Sequence, residues 1–331
     1  MLLIIGVPRS GTTLLSVMLN NHSEIFIDDQ TVSKRIVLLY KKYDRYYLAK
    51  DQLSERFLNI VDKDDKKNRI YSLLNGREII NDISYTLDKA VKRKAKKNGA
   101  LILGDKSPLI IELLPYFINL FPESKIVFIT RDARANVMSL VKRQYMDIQL
   151  AAQMWKDWNI KGLAYKEWLG KDKICQISYE GLVKYTEQEL LKICNFLNID
   201  FETSMLDLSK SEATQKKDAY VSKQIDESLI ERWRGELSTK QIKQIEKIVG
   251  DLMPQLGYKV EHENLQYQSL SYGKQYLLNV KQAVKLIFVP KRKVMRQRTL
   301  VDEYIPLSIR LRYLLRVMAR GLINERWFEH R

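Results

Sequence analysis

The chain reads as an α/β protein, a P-loop-like parallel sheet of about five strands flanked by helices. Three observations predict this. Leu2 to Val7 is an apolar, β-branched run that passes through a glycine-bearing turn into a helical pattern. Strand-like and helix-like stretches then alternate as far as Leu197, the rhythm of parallel strands joined by helical crossovers. The strand-like runs end in polar or charged residues, and open parallel sheets bind their ligands at the carboxyl ends of the strands.

The first turn, Gly6-Val7-Pro8-Arg9-Ser10-Gly11-Thr12-Thr13, carries the most chemical information. Two glycines allow backbone conformations closed to residues with a Cβ, and the helix that starts near Thr12 directs its free N–H groups and positive dipole end at an anion. Gly6, Gly11 and Thr13 fit the Walker A spacing, but Thr12 stands where the phosphate lysine belongs, and the nearest fixed cation is Arg9. A nucleoside triphosphatase needs that lysine for its β and γ phosphates. A loop built for one phosphate carrying another transferable group does not.

The remaining elements follow in order. Ile25 to Ile27 suits a short second strand ending on Asp28-Asp29-Gln30-Thr31, beside the phosphate loop. Residues 32–98 lack a strand-like run and show helical spacing at Val37, Leu38 and Tyr40, and again at Ile79, Ile83, Leu87 and Val91, so they read as a helical insertion. Ala100 to Leu103 is a third strand, with Lys106 and Ser107 at the corner and Pro108 in the first turn of the next helix. Lys125 to Thr130 is a fourth, ending in Arg131-Asp132. The helix from about Ala133 buries Val137, Leu140 and Val141 and carries Arg134, Ser139 and Arg143. An arginine at a strand end and a serine on the following helix suit a second phosphate, or else a surface ion pair and a neutral helical serine. Asp172 to Ser178 is a fifth strand, leading through Tyr179 into an amphipathic helix with Leu190, Leu191, Ile193, Cys194 and Leu197. Residues 203–224 read as a polar loop over the site, and helices resume at about 226–235 and 239–253.

VPRSGTT after a strand, the stretch from Gly104 to Arg143, ISYEGLVKYTEQELLKICNFLNI and SLIERWRGELSTKQIKQIEKIVGDLMPQLGY occur in order and at fitting separations. Together they resemble the sulfotransferases that use 3′-phosphoadenosine 5′-phosphosulfate (PAPS), nearest the branch with the tyrosylprotein sulfotransferases and bacterial relatives. The resemblance covers roughly residues 2–260. It implies that Pro8, Arg9, Ser10, Gly11, Thr12 and Thr13 hold the phosphosulfate and that Arg131 and Ser139 hold the 3′-phosphate. Tyr179, Arg232 and Trp233 would lie near the cofactor, and Arg9 and Lys106 would stabilise charge on the leaving phosphate. It further implies in-line transfer to a hydroxyl or amine without a metal. Its branch ends the second strand in a Glu-Glu-Thr motif whose second glutamate is the base. Here the matching residues are Asp29, Gln30 and Thr31, and an amide cannot take a proton at neutral pH. Either Asp29 or Asp28 serves as base, or the acceptor needs none. His22, after the first helix, reads better as a packing and capping residue.

At 331 residues with a formal charge of +16, the chain can bury a large core and prefers an anionic partner. The alternatives to a sulfotransferase are a P-loop kinase or NTPase, and a basic membrane- or nucleic-acid-binding protein with a vestigial nucleotide site. The first is disfavoured by Thr12, and nucleic acid is not expected. Cys175 and Cys194 sit among apolar neighbours and read as buried thiols of a reducing compartment. With neither a cleavable leader nor a long apolar span in the sequence, the chain is expected to be cytoplasmic. Two segments are expected: a PAPS-binding domain at 1–261 and a basic C-terminal extension at 262–331. Residues 271–331 hold 14 Lys or Arg against 4 Asp or Glu. Leu311, Leu314, Leu315, Met318 and Leu322 follow helical spacing among arginines, as in a helix lying on an anionic membrane or one packed back on the protein. The acceptor, whether glycan, lipid, peptide or small molecule, is left open by the sequence.

Overall fold

The computed structural model describes residues 1–29, 99–108, 110–144, 146–210 and 225–288. Gln30, Thr31, the expected insertion at 32–98, most of the expected loop and the tail beyond residue 288 lie outside them. The strands are β1 (Leu2–Ile5), β2 (Ile25–Asp29), β3 (Ile102–Lys106), β4 (Lys125–Thr130) and β5 (Ile174–Ser178). They form one sheet in the order β2-β3-β1-β4-β5, with parallel registers such as Ile4 beside Lys106 and Ile5 beside Phe128. Leu2 to Ile5 are wholly buried, as a central strand covered on both faces requires. The chain runs from β1 outward to β2, returns to β3 and then crosses to β4. The direction of winding therefore reverses around β1, whose carboxyl end is where such sheets take their ligands.

The helices are α1 (Thr12–Asn20), α2 (Ile110–Leu120), α3 (Ala133–Gln144), α4 (Ile148–Leu169), α5 (Tyr179–Lys184), α6 (Thr186–Leu197), α7 (Ser228–Glu231), α8 (Trp233–Glu236), α9 (Thr239–Val249) and α10 (Tyr272–Phe288). The chain divides into two compact units. The first comprises Met1–Gly6, Gly11–Ile129 and Lys161–Asp226, and the second Val7–Ser10, Thr130–Ile160 and Glu227–Arg331. In the first, α1 covers the sheet with Leu15, Val17, Met18 and Leu19, and α6 buries Leu190, Ile193, Cys194 and Leu197. In the second, Ala135 and Met138 of α3 pack on Trp233 and Ile242, with Leu237 alongside. Residue 262, the expected start of the extension, falls inside this unit, where His262 donates its backbone N–H to Glu246.

Several boundaries differ from expectation. β3 runs from Ile102 to Lys106, so Lys106 ends a strand and is not in the corner. Pro108 sits in the turn ahead of α2, where Ile110 N–H bonds to the Ser107 carbonyl. β1 stops at Ile5, leaving Val7 in the turn. Leu191 is 37% exposed and lies off the apolar stripe of α6. The helix expected at 226–235 is two single turns, and that at 239–253 ends at Val249. The 22-residue α4 was not foreseen, although Ala151, Ala152, Trp155 and Trp158 bury one of its sides at helical spacing.

Candidate active site

In the first unit the candidate site is built around the start of α1. Gly11 is its N-cap at φ 95°, in the left-handed region, and no side chain caps the helix. The Leu15 N–H reaches the Gly11 carbonyl at 3.0 Å and opens the intrahelical ladder. The N–H groups before it have no partner inside the helix, and the positive dipole end points with them. Thr12 is buried, and Thr13 Oγ1 stands 3.5 Å from Lys106 Nζ, a long contact that draws a cation to the helix start. The Lys106 side chain ends β3, is only 6% exposed, and lies level with Asp29 in the register of β2 and β3. Tyr179 follows β5 directly and is buried with its ring on Gly11, where a Cβ would meet Cδ2 at 2.5 Å. Positive φ and the tyrosine both demand glycine there. Ser178 fixes this corner by accepting the Gly181 N–H at 2.9 Å.

His22, just past the end of α1, is buried and ties the following turn to the segment after α6. Its Nδ1 accepts the Glu24 N–H at 3.0 Å, which leaves Nε2 to donate to the Asp200 carbonyl at 2.8 Å.

In the second unit the turn Val7–Ser10 is closed by the Ser10 N–H on the Val7 carbonyl at 3.0 Å. Arg9 has φ 75°, a conformation a residue with a Cβ adopts at a cost. Three side chains, from the end of β4 and from α3, meet this turn. Arg131 Nη1 donates to the Arg9 carbonyl at 3.0 Å, and Asn136 Nδ2 donates to the Pro8 carbonyl and to Ser10 Oγ, both at 3.0 Å. Arg9 Nε donates in turn to Ser139 Oγ at 3.1 Å. Trp155 Nε1 holds the Arg131 carbonyl at 2.9 Å, and Arg131 Nη2 reaches the Leu229 carbonyl at 3.3 Å. The cluster thus concentrates two guanidiniums and two hydroxyls, a donor set for an anion. Asn136 escaped the sequence reading, although its place between Ala133 and Leu140 puts a polar amide on the buried stripe of a helix.

Arg134 supports the same helix from below. Its Nε and Nη2 pair with both oxygens of Asp132 at 3.0 and 2.6 Å, Nη1 with Glu246 at 3.0 Å, and Nη2 also with the Lys259 carbonyl. Burial pushes this guanidinium's pKa down, but its bond to Asp132 and the charges of Asp132, Glu246 and Glu261 outweigh that and hold it above the ordinary arginine value. Trp233 is 1% exposed and lies between the Arg134 and Arg234 guanidiniums, 4.0 and 4.4 Å from its ring centre. It is a packing residue of this unit. Arg232 points outward to Glu236 at 2.7 Å. Among the described residues, no group of three or more His, Cys, Asp or Glu side chains is placed to hold a metal, and no helix is long and apolar enough to cross a membrane.

The first unit thus offers an open helix start with a buried lysine nearby, and the second an arginine-serine cluster, each a set of donors suited to an anion. The model of the Sulfotransferase family matches residues 2–203, and the chain belongs to that family. Among its relatives are a protein-tyrosine sulfotransferase of Drosophila melanogaster and protein-tyrosine sulfotransferase 1 of Danio rerio. The first is 30% identical over 212 residues, 61% of this chain and 38% of that protein; the second is 25% identical over 274 residues, 76% and 70%. The chain thus spans about two fifths of the fly protein's length. Two solved structures share the fold. The sulfotransferase domain from the curacin biosynthetic pathway covers 78% of this chain and 98% of its own, with a TM-score of 0.53 and 24% identity. The sulfotransferase domain of the Synechococcus PCC 7002 olefin synthase covers 78% and 94%, with a TM-score of 0.52 and 22% identity.

Proposed function

We propose that this sulfotransferase takes its sulfuryl group from PAPS and passes it to a hydroxyl or amine of an acceptor. The observation that carries the reading is the start of α1. An uncapped helix opens on Gly11 with Thr12 in place of the Walker lysine, and a buried lysine, Lys106, approaches Thr13. A loop of this kind serves a phosphate whose outer group leaves, with side-chain cations meeting the charge that develops.

In the transfer, the bond from sulfur to the bridging oxygen of the 5′-phosphate breaks as a bond from sulfur to the acceptor atom forms. The electron pair of the broken bond stays on the phosphate, and 3′,5′-ADP departs. Residues 9–13 and Lys106 stabilise that phosphate, Arg131 and Ser139 hold the 3′-phosphate, and Tyr179 keeps the helix start in place. The acceptor's proton passes to a carboxylate at the end of β2. Asp29 is the candidate because its backbone is level with Lys106 and position 30 carries an amide side chain. The relatives are named for protein tyrosine, so tyrosyl peptides head the acceptors to be tried.

Calorimetry tests the donor. Without magnesium, 3′,5′-ADP should bind more tightly than ATP does with magnesium, and Arg131→Ala should weaken it by about 1.5 to 3 kcal/mol, the range for charge-assisted bonds. Preference for magnesium ATP overturns the reading. Labelled PAPS, incubated with tyrosyl peptides, glycans, lipids, phenols and amines, then identifies the acceptor.

A further inference from the structure

We propose that Asn136 is a positioning residue for donor binding, acting through Arg9; the proposal rests on the donor reading above. Arg9 is one of two residues other than glycine at positive φ among the described residues, and such backbone persists where its surroundings over-determine it. Asn136 supplies that determination. It is wholly buried on α3, and its single amide nitrogen bonds to the residues on either side of Arg9, the Pro8 carbonyl and Ser10 Oγ, each at 3.0 Å. Because a carbonyl oxygen only accepts, the amide nitrogen must face Pro8, and this settles which way the side chain points.

The amide oxygen supports the same conclusion. It is buried and has no hydrogen-bond partner among the described residues. A buried acceptor left unbonded is costly, so this orientation is kept for what the nitrogen does. The backbone of Arg9 is pinned as well, with Arg131 Nη1 on its carbonyl. Positions 8, 9 and 10 are therefore each held by a side chain from the strand end or the helix that follows it. With its backbone clamped, the Arg9 guanidinium is aimed without rearrangement when an anion binds, which is the value of a preorganised donor. Without Asn136 the turn can relax Arg9 toward ordinary negative φ, and its side chain swings with it.

The test is a double-mutant cycle read by calorimetry with 3′,5′-ADP on the full chain, with circular dichroism confirming that each variant is folded. Asn136→Ala should weaken binding about tenfold in the wild-type background and by less than twofold in an Arg9→Ala background. A packing role alone would give the same loss in both backgrounds, and equal losses, or no loss in the first, overturn the proposal. Where Asn136→Ala does not fold, the isosteric Asn136→Asp takes its place in both backgrounds, with the same pattern expected. If the wild-type chain does not bind 3′,5′-ADP at all, the donor reading fails instead. Binding by the wild type with an indifferent Asn136→Ala sinks only the role of Asn136.

Discussion

Glu246 shows how much of this molecule rests on single buried charges. It is fully buried and accepts from Arg134 Nη1 and from the backbone N–H groups of Glu261 and His262, and it lies 2.8 Å from His262 Nδ1. Arg134 cannot shed its proton to relieve the loss of this partner, because an arginine guanidinium stays protonated at any ordinary pH. Glu246→Ala should therefore cost about 3 to 5 kcal/mol, the range for stranding one member of a buried pair, and Glu246→Gln less. Urea unfolding measures both, and a loss below about 1 kcal/mol for Glu246→Ala would show that the network carries little of the stability. None of this was legible beforehand. Arg134 and Glu246 stand 112 positions apart, and nothing local in either helix marks the other as its partner.

Among the elements, α9 and α1 begin in opposite ways. α9 opens on a capping box: Ser238 accepts the Gln241 N–H, and the Gln241 side chain accepts the Ser238 N–H at 2.9 Å. The box is written in the order Ser-x-x-Gln and could be read from the sequence. Ser238→Ala should lower stability by about 1 kcal/mol while Ser238→Asp keeps most of it, a difference visible in thermal midpoints. α1 has glycine where α9 has serine, so its first N–H groups stay available to a ligand. Gly6 is held as tightly, since a Cβ there would lie 2.5 Å from the Ile129 carbonyl oxygen of β4. The turn's glycines were visible in the sequence, but the tyrosine and the carbonyl that exclude any larger residue were not.

At the scale of the whole molecule, both cysteines are free and buried, as their apolar neighbours suggested. Burial raises the pKa of each thiol. For Cys194 burial and the charge of Glu202 push it up to about 11, and for Cys175 burial is again the main cause. Both should resist iodoacetamide at pH 8 in the folded protein and react once it is unfolded. A folded pKa above the unfolded value of 9.0 means that the Cys194 contribution to stability is complete below about pH 9 and is lost as pH rises towards 11. The urea midpoint of the wild type should accordingly fall more steeply over that interval than that of Cys194→Ala. Parallel curves would mean that the thiol is not held neutral.

The sequence by itself determined the strand-turn-helix at the start, the five strand runs, the alternation that makes the sheet parallel, and the places of Arg131 and Tyr179 directly after strands. These rest on local period, β-branching and the conformational freedom of glycine, all of which act over a few residues. Tertiary structure alone decided the strand order, the packing of Tyr179 on Gly11, the grip of Asn136 and Arg131 on the turn, and the place of Trp233 between two arginines. Each of these depends on partners distant in sequence. A hydrogen bond or ring contact is set by where two elements pack, and one-dimensional spacing holds no record of that.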